Sequence, residues 1–115
     1  MRVLGHVSQR ISDFHQAGYV HRDLKPGNIM WQPRTNTWVL IDFGLVARAG
    51  DVAPVGGTPR FVAPETAQAW LQGERTQVLD SKVDSWALGV IAFELLVGRP
   101  AFGMFWGVRE VRRAS

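Results

Sequence analysis

The residues best suited to chemistry stand in two short runs, His21-Arg22-Asp23-Leu24-Lys25-Pro26-Gly27-Asn28 and Asp42-Phe43-Gly44, the second beginning fourteen positions after Asn28. A third run, Ala63-Pro64-Glu65, follows downstream. Taken singly, Asp23 and Asp42 read as surface or capping carboxylates, the ordinary use of aspartate near turns. Their order changes that reading. Five fixed letters in the first run, each met at roughly one position in twenty, make a chance occurrence in one short chain very rare. The chain has no cysteine, which excludes disulfides, thiolate nucleophiles and Cys-based zinc sites but says nothing about redox compartment. His6 and His15 have no partner at metal-ligand spacing and read as structural. What remains is the chemistry of carboxylate, carboxamide, ammonium and hydroxyl groups.

The first run matches the protein-kinase catalytic loop H-R-D-L-x-x-x-N at every specified position, and D-F-G and A-P-E follow in that family's order. Their setting agrees, with the loop between a helix and a hairpin and D-F-G directly after the second strand. From about Val3 to Phe102 the chain resembles a eukaryotic-type serine/threonine protein kinase domain. Gly57-Thr58-Pro59-Arg60-Phe61 looks like the substrate-facing loop of these enzymes, and Asp84-Ser85-Trp86-Ala87-Leu88-Gly89-Val90 resembles the D-x-W-x-x-G segment of their central helix.

The resemblance implies phosphoryl transfer from ATP to a protein substrate. That reaction asks little covalent work of the protein and is catalysed mostly by positioning and by neutralising negative charge. Asp23 would accept or orient the substrate hydroxyl proton. Asn28 and Asp42 would ligate Mg²⁺, a hard cation suited to oxygen ligands. Lys25 would lie near the γ-phosphate, serving both catalysis and ATP binding, and Met30 would touch adenine. Lys25 and Thr58 together favour serine and threonine over tyrosine as acceptors. Supporting positions follow by the same resemblance: Arg22 meets an activation-loop phosphate, Phe43 and His21 stack in a regulatory spine, Gly44 completes D-F-G, Glu65 closes A-P-E, and Asp84 braces the catalytic-loop backbone.

Several family features are not found in this sequence. It contains no G-x-G-x-x-G, its only lysines are Lys25 and Lys82, and its glutamates, Glu65, Glu74, Glu94 and Glu110, all follow D-F-G. The lobe that holds ATP is therefore expected to lie outside it, as is the arginine that would pair with Glu65. Glu65 and Asp84 stand nineteen positions apart, and Gln68–Gln77 reads as a short polar insertion between them. Between Gly44 and Thr58 there is no Ser, Thr or Tyr, which removes the usual regulatory phosphosite. Asp51 is the acidic residue that could stand in for it beside Arg22.

The elements that must position these residues can be read from periodicity. Val3, Leu4, Val7, Ile11 and Phe14 recur at helical spacing, and Gly18 is placed to end that helix. Ile29–Gln32 and Thr37–Ile41, separated by Pro33-Arg34-Thr35-Asn36, predict a hairpin. The stretch from Asp42 to Pro64 predicts irregular structure that something else must hold. Ser81-Lys82-Val83-Asp84 fits a capping box ahead of a helix over Val83–Val97, stopped by Gly98 and Pro100. Apolar residues all round that helix predict burial on nearly every side.

The fold class expected is α+β, a mainly helical partial C-lobe with a small β-hairpin and no N-lobe. In this division, residues 1–102 form a partial kinase domain, with catalytic loop 21–28, activation segment 42–65 and central helix 83–97. The basic tail 103–115 is unassigned, and Ser115 after Arg112-Arg113-Ala114 resembles a site for basic-directed kinases.

Composition fits this picture: 46% of residues are apolar and 20% charged, the balance of a globular chain. The net charge of +3 is scattered apart from Arg109, Arg112 and Arg113, which gives no nucleic-acid footprint. Trp86–Gly98 is interrupted by Glu94 and shorter than the roughly 20 residues that span a bilayer. Protein substrate and ATP are the partners expected, with neither nucleic acid nor membrane, and the oligomeric state is open. The residues leave the compartment open, and the resemblance points to the cytoplasm. Two other readings stand beside the enzyme: a catalytically inactive kinase-fold fragment acting as an interaction module, and a small-molecule phosphotransferase, the latter disfavoured by Gly57–Phe61 and Ala63–Glu65.

Overall fold

The first helix, α1, spans Arg2–Gln16 and buries the side chains of Val7 and Ile11. It ends where the sequence places its stop: Gly18 takes φ +88°, and its N–H reaches the His15 carbonyl at 3.0 Å. The structure is a computed structural model and describes residues 2–98. The basic tail 103–115, including Ser115, lies outside the described residues.

After α1 the chain makes a two-residue strand, β1 (Tyr19–Val20), then the polar loop, then the hairpin of β2 (Ile29–Gln32) and β3 (Thr37–Leu40). The hairpin is antiparallel with Ile29 opposite Leu40 and Gln32 opposite Thr37. Asn36, at φ +54°, supplies the left-handed residue its turn requires. Beyond the strand, the Ile41 N–H still reaches the Asn28 carbonyl at 2.9 Å, so the hairpin sets the loop 21–28 and Asp42-Phe43-Gly44 side by side. α1 lies against β3 and closes this layer.

The stretch 42–64 is less irregular than its composition suggests. It contains β4 (Ala47–Arg48), paired with β1, and β5 (Val52–Pro54), paired with β6 (Thr76–Val78). The polar run 68–77 is correspondingly not a simple insertion. Its first half is the end of α2 (Pro64–Leu71), Gly73 turns the chain at φ +74°, and its second half enters β6. Strands of two or three residues carry no alternation long enough to read.

α3 runs Lys82–Val97 and ends at Gly98, which is left-handed at φ +80°. Its start departs from the capping box. Ser81 is itself helical, at φ −57° and ψ −19°, and makes no side-chain cap. Asp80 Oδ1 instead accepts the Lys82 N–H at 2.8 Å. The carboxylate of Asp84, which the box would return to the helix start, is committed to the backbone of His21 and Arg22.

Burial of α3 also differs from expectation. Asp84, Ala87, Val90 and Ile91 face inward, whereas Phe93, Leu95, Leu96 and Val97 are 42–72% exposed. Among the described residues, α1 and the Pro59–Phe61 turn pack against the helix. Phe93 and Leu96 point away from its buried face, while Leu95 and Val97 share the face of Ile91 and Val90 but lie in the last turn, beyond the buried positions. The core itself joins Val7 and Ile11 of α1, Leu24 of the loop, Leu40 of β3, Phe61, and Ala87, Val90 and Ile91 of α3. The site is therefore framed by α1, β3 and α3.

Candidate active site

The loop 21–28 is shaped by a carboxylate beneath it. Asp84, 1% exposed on the first turn of α3, accepts the His21 N–H on Oδ2 and the Arg22 N–H on Oδ1, each at 2.9 Å. His15 of α1 adds a third contact, Nε2 to Asp84 Oδ2 at 2.9 Å. Arg22 sits at φ +78°, a conformation that costs a non-glycine residue about 1 kcal/mol or more. Two charge-assisted hydrogen bonds on consecutive N–H groups offset that cost, since each contributes roughly 1.5–3 kcal/mol when buried.

Asp23 stands at the centre of the resulting loop. Its N–H donates to His21 Nδ1 at 3.1 Å, and Asn28 Nδ2 donates to its carbonyl at 2.8 Å and to its Oδ2 at 3.3 Å. Thr58 Oγ1, 35 positions away in sequence and buried, donates to Asp23 Oδ1 at 2.8 Å. Two side chains, Asn28 from the same loop and Thr58 from a distant one, thus converge on one carboxylate. Asn28 directs its amide nitrogen at Asp23, which leaves its oxygen as the group available to a cation.

Asp42 follows the hairpin at φ +61°, exposed, with Oδ1 accepting the Gly44 N–H at 3.2 Å. A Cβ on residue 44 would stand 3.3 Å from that same oxygen, so the glycine keeps the carboxylate accessible. No cluster of three or more His, Cys, Asp or Glu forms a metal cage among the described residues. Mg²⁺ does not need one. It keeps several waters and takes one or two carboxylates together with substrate phosphates, so the oxygens of Asp42 and Asn28 are a donor set that fits it.

The remaining candidates are placed as follows. Lys25 is half-buried at the start of the Pro26–Asn28 turn, and its carbonyl accepts the Asn28 N–H at 2.9 Å. Met30 lies on β2 and is 52% exposed. Glu65 is exposed in the first turn of α2. Phe43, His21 and Phe14 form a triangle of rings with centroids 5.8–5.9 Å apart. Phe14 was not singled out in the sequence, where it is one of five apolar positions on a helix.

Arg22 does not meet Asp51. Its guanidinium donates to the Leu45 carbonyl at 3.4 Å and to the Pro54 carbonyl, while Asp51 is exposed and the described ion pairs include none between the two. The reason is register: β5 presents a carbonyl to Arg22 and leaves Asp51 in the turn before it. Arg60, stacked on Phe61 with Cζ 4.4 Å from the ring centroid, pairs with Glu94 of α3 and fixes the turn after Thr58.

Electrostatics follow from this burial. His21 is pushed below the ordinary histidine range by desolvation, against the opposing pull of Asp84, Asp23, the Ile41 backbone and Asp42. Because Nδ1 accepts from Asp23, the neutral ring carries its proton on Nε2, which is buried and makes no hydrogen bond of good geometry. Desolvation also lowers Arg22, with Asp84 opposing, but a guanidinium stays charged.

Set beside known proteins, the chain matches a family profile described as "Protein kinase domain" over residues 2–111. It is similar to serine/threonine-protein kinase pkn3 of Myxococcus xanthus, at 37% identity over 85% of this chain and 19% of the relative. Smooth-muscle myosin light chain kinase of Gallus gallus is 39% identical over 89% of this chain and 5% of its own length. Calcium/calmodulin-dependent protein kinase type 1 of Caenorhabditis briggsae is 40% identical over 84% of this chain and 26% of its own length. The chain therefore spans about a quarter or less of each of these relatives.

Proposed function

This chain belongs to the protein kinase family, and from that premise we propose that it is the catalytic half of a serine/threonine kinase. The reaction is transfer of the ATP γ-phosphate to a Ser or Thr hydroxyl of a protein. The observation that carries this reading is the convergence on Asp23 of the Asn28 amide, at 2.8 and 3.3 Å, and the Thr58 hydroxyl, at 2.8 Å.

In this reading Asp23 orients the acceptor hydroxyl and takes its proton as the O–P bond forms. Its carboxylate is held by hydrogen bonds from Asn28 and Thr58, so it enters the reaction preorganised. Asn28 and Asp42 would hold Mg²⁺ through their oxygens, and the ion when bound neutralises phosphate charge. Lys25 would place an ammonium group beside the transferring phosphate. Thr58 sits where a serine or threonine side chain must approach Asp23, which makes it the residue that couples substrate docking to the base.

The test uses the protein that joins this chain to a Gly-rich loop, a β-strand lysine and its glutamate partner, assayed on Ser-, Thr- and Tyr-containing peptides. Asp23→Asn is expected to lower transfer to Ser and Thr by about 10²–10⁴-fold, the usual contribution of a positioned base. Equal activity in the variant, or a preference for Tyr, would overturn the proposal. The 115-residue chain alone is expected to transfer no phosphate above background.

A further inference from the structure

The segment between α2 and α3 has no part in the mechanism above, yet it grips the stretch of chain that leads to Thr58. Val52, Ala53 and Pro54 of β5 stand opposite Val78, Gln77 and Thr76 of β6. The pairing continues on both sides. The Leu79 N–H reaches the Asp51 carbonyl at 3.0 Å, the Gly50 N–H reaches the Leu79 carbonyl at 2.8 Å, and the Val55 N–H reaches the Arg75 carbonyl at 3.0 Å.

Antiparallel ladders alternate bonded and non-bonded pairs, which puts the bonded ones at Ala53 with Gln77 and Val55 with Arg75. At its other end the ladder closes in a bulge, where Leu79 donates to Asp51 and accepts from Gly50 while the Asp51 N–H turns back to the Arg48 carbonyl at 3.2 Å. Pro54, with no N–H to give, falls at a position where the ladder asks for none. The same alternation turns the Pro54 carbonyl away from β6, and that is the carbonyl to which Arg22 donates. β5 is thus held on one edge by backbone from residues 75–79 and on the other by Arg22. Gln77 Nε2 also donates to Thr66 Oγ1 at 3.1 Å, which ties β6 to α2.

We propose that residues 75–79 are a positioning latch. By adding a strand to the activation segment, they hold Thr58 on Asp23 and order the substrate side of the site without a phosphate. The stretch they grip offers none of the hydroxyls that carry one, since residues 45–57 contain no Ser, Thr or Tyr. The functional meaning of the latch rests on the kinase reading. The ordering itself does not.

The experiment is amide hydrogen exchange on the 115-residue chain, comparing Gln77→Pro with Gln77→Ala. Both lose the side-chain bond to Thr66, but only proline removes the backbone N–H aimed at Ala53. Gln77→Pro is expected to speed exchange over residues 50–58 by about tenfold or more while leaving α1 and the β2–β3 hairpin unchanged, as local opening does. It should also move the Asp23 and Thr58 amide resonances. Gln77→Ala should do neither.

A second arm of the test pairs Val52→Cys with Val78→Cys, a non-bonded antiparallel pair suited to a disulfide in a chain that has no other cysteine. Oxidation should slow exchange over 50–58 selectively, and in the Gln77→Pro background should restore it. Equal exchange in the two Gln77 variants overturns the latch. If Gln77→Pro unfolds the whole chain, the decision passes to the disulfide, and no slowing on oxidation overturns the proposal. None of these readouts needs ATP, so failure of the kinase reading would appear only in the Asp23→Asn assay.

Discussion

At the residue scale, one buried carboxylate organises most of the site. Asp84 accepts from His21, Arg22 and His15, and through the first two it fixes the left-handed turn that presents Asp23. His21 stands between these two aspartates, desolvated and with its Nδ1 already accepting from the loop. Its pKa in the folded chain is lowered by burial, so the unfolded chain binds the proton more tightly. Its contribution to stability is therefore complete above the unfolded value of about 6.5 and is lost as pH falls below it toward the folded value. The urea midpoint of the chain is accordingly expected to drop between about pH 7.5 and pH 5.5. In His21→Gln, which keeps an acceptor for the Asp23 N–H but does not titrate, the slope over that window should flatten even if the variant is less stable throughout. Parallel slopes in the two proteins would show that the pH dependence lies elsewhere.

At the scale of elements, what could be read in the sequence was whatever a local pattern decides. α1, the hairpin and α3 have runs long enough to show a period or a bounded pair of strands, and the motif residues from His21 to Asn28 announce themselves by order alone. The strands β1, β4, β5 and β6 do not, because runs of two or three residues are fixed by distant backbone partners. For the same reason the contacts His15 to Asp84, 69 positions apart, and Phe14 to Phe43 were not legible. The capping box at Ser81 was legible but misleading, since tertiary demand on Asp84 outweighed a local cap. Gly57 shows how tightly the gripped stretch joins the site. It sits at φ +124°, where a Cβ would stand 2.8 Å from Val62 Cγ1 and 3.2 Å from the Arg22 carbonyl. Gly57→Ala is expected to cost about 2–3 kcal/mol through strain and collision together. Gly50→Ala, also left-handed at φ +88° but with open space around it, should cost about 1 kcal/mol. Thermal unfolding of the two variants measures the difference, and equal losses would mean that the approach of Gly57 to Val62 and Arg22 is not a constraint.

At the scale of the whole molecule, the site is built from the inner side of α3 while its outer side is apolar and open. The buried residues Asp84, Ala87, Val90 and Ile91 serve the loop and core, but Phe93 and Leu96 on the outer side and Leu95 and Val97 in the last turn remain 42–72% exposed. Large apolar patches on a folded chain drive association, because each Å² withdrawn from water is worth about 25 cal/mol. The 115-residue chain is therefore expected to self-associate at micromolar concentration and to bind a hydrophobic dye, with both effects centred on the last two turns of α3. Phe93→Glu with Leu96→Lys, one charge of each sign on that side, should shift the chain toward monomer in size-exclusion chromatography and cut dye fluorescence severalfold. Neither side chain belongs to the buried cluster, so the melting temperature should change little. A parent chain that is already monomeric and dye-free would mean that this side of α3 is covered in solution. A double variant that associates as strongly as the parent would mean that the adhesive surface lies on another element.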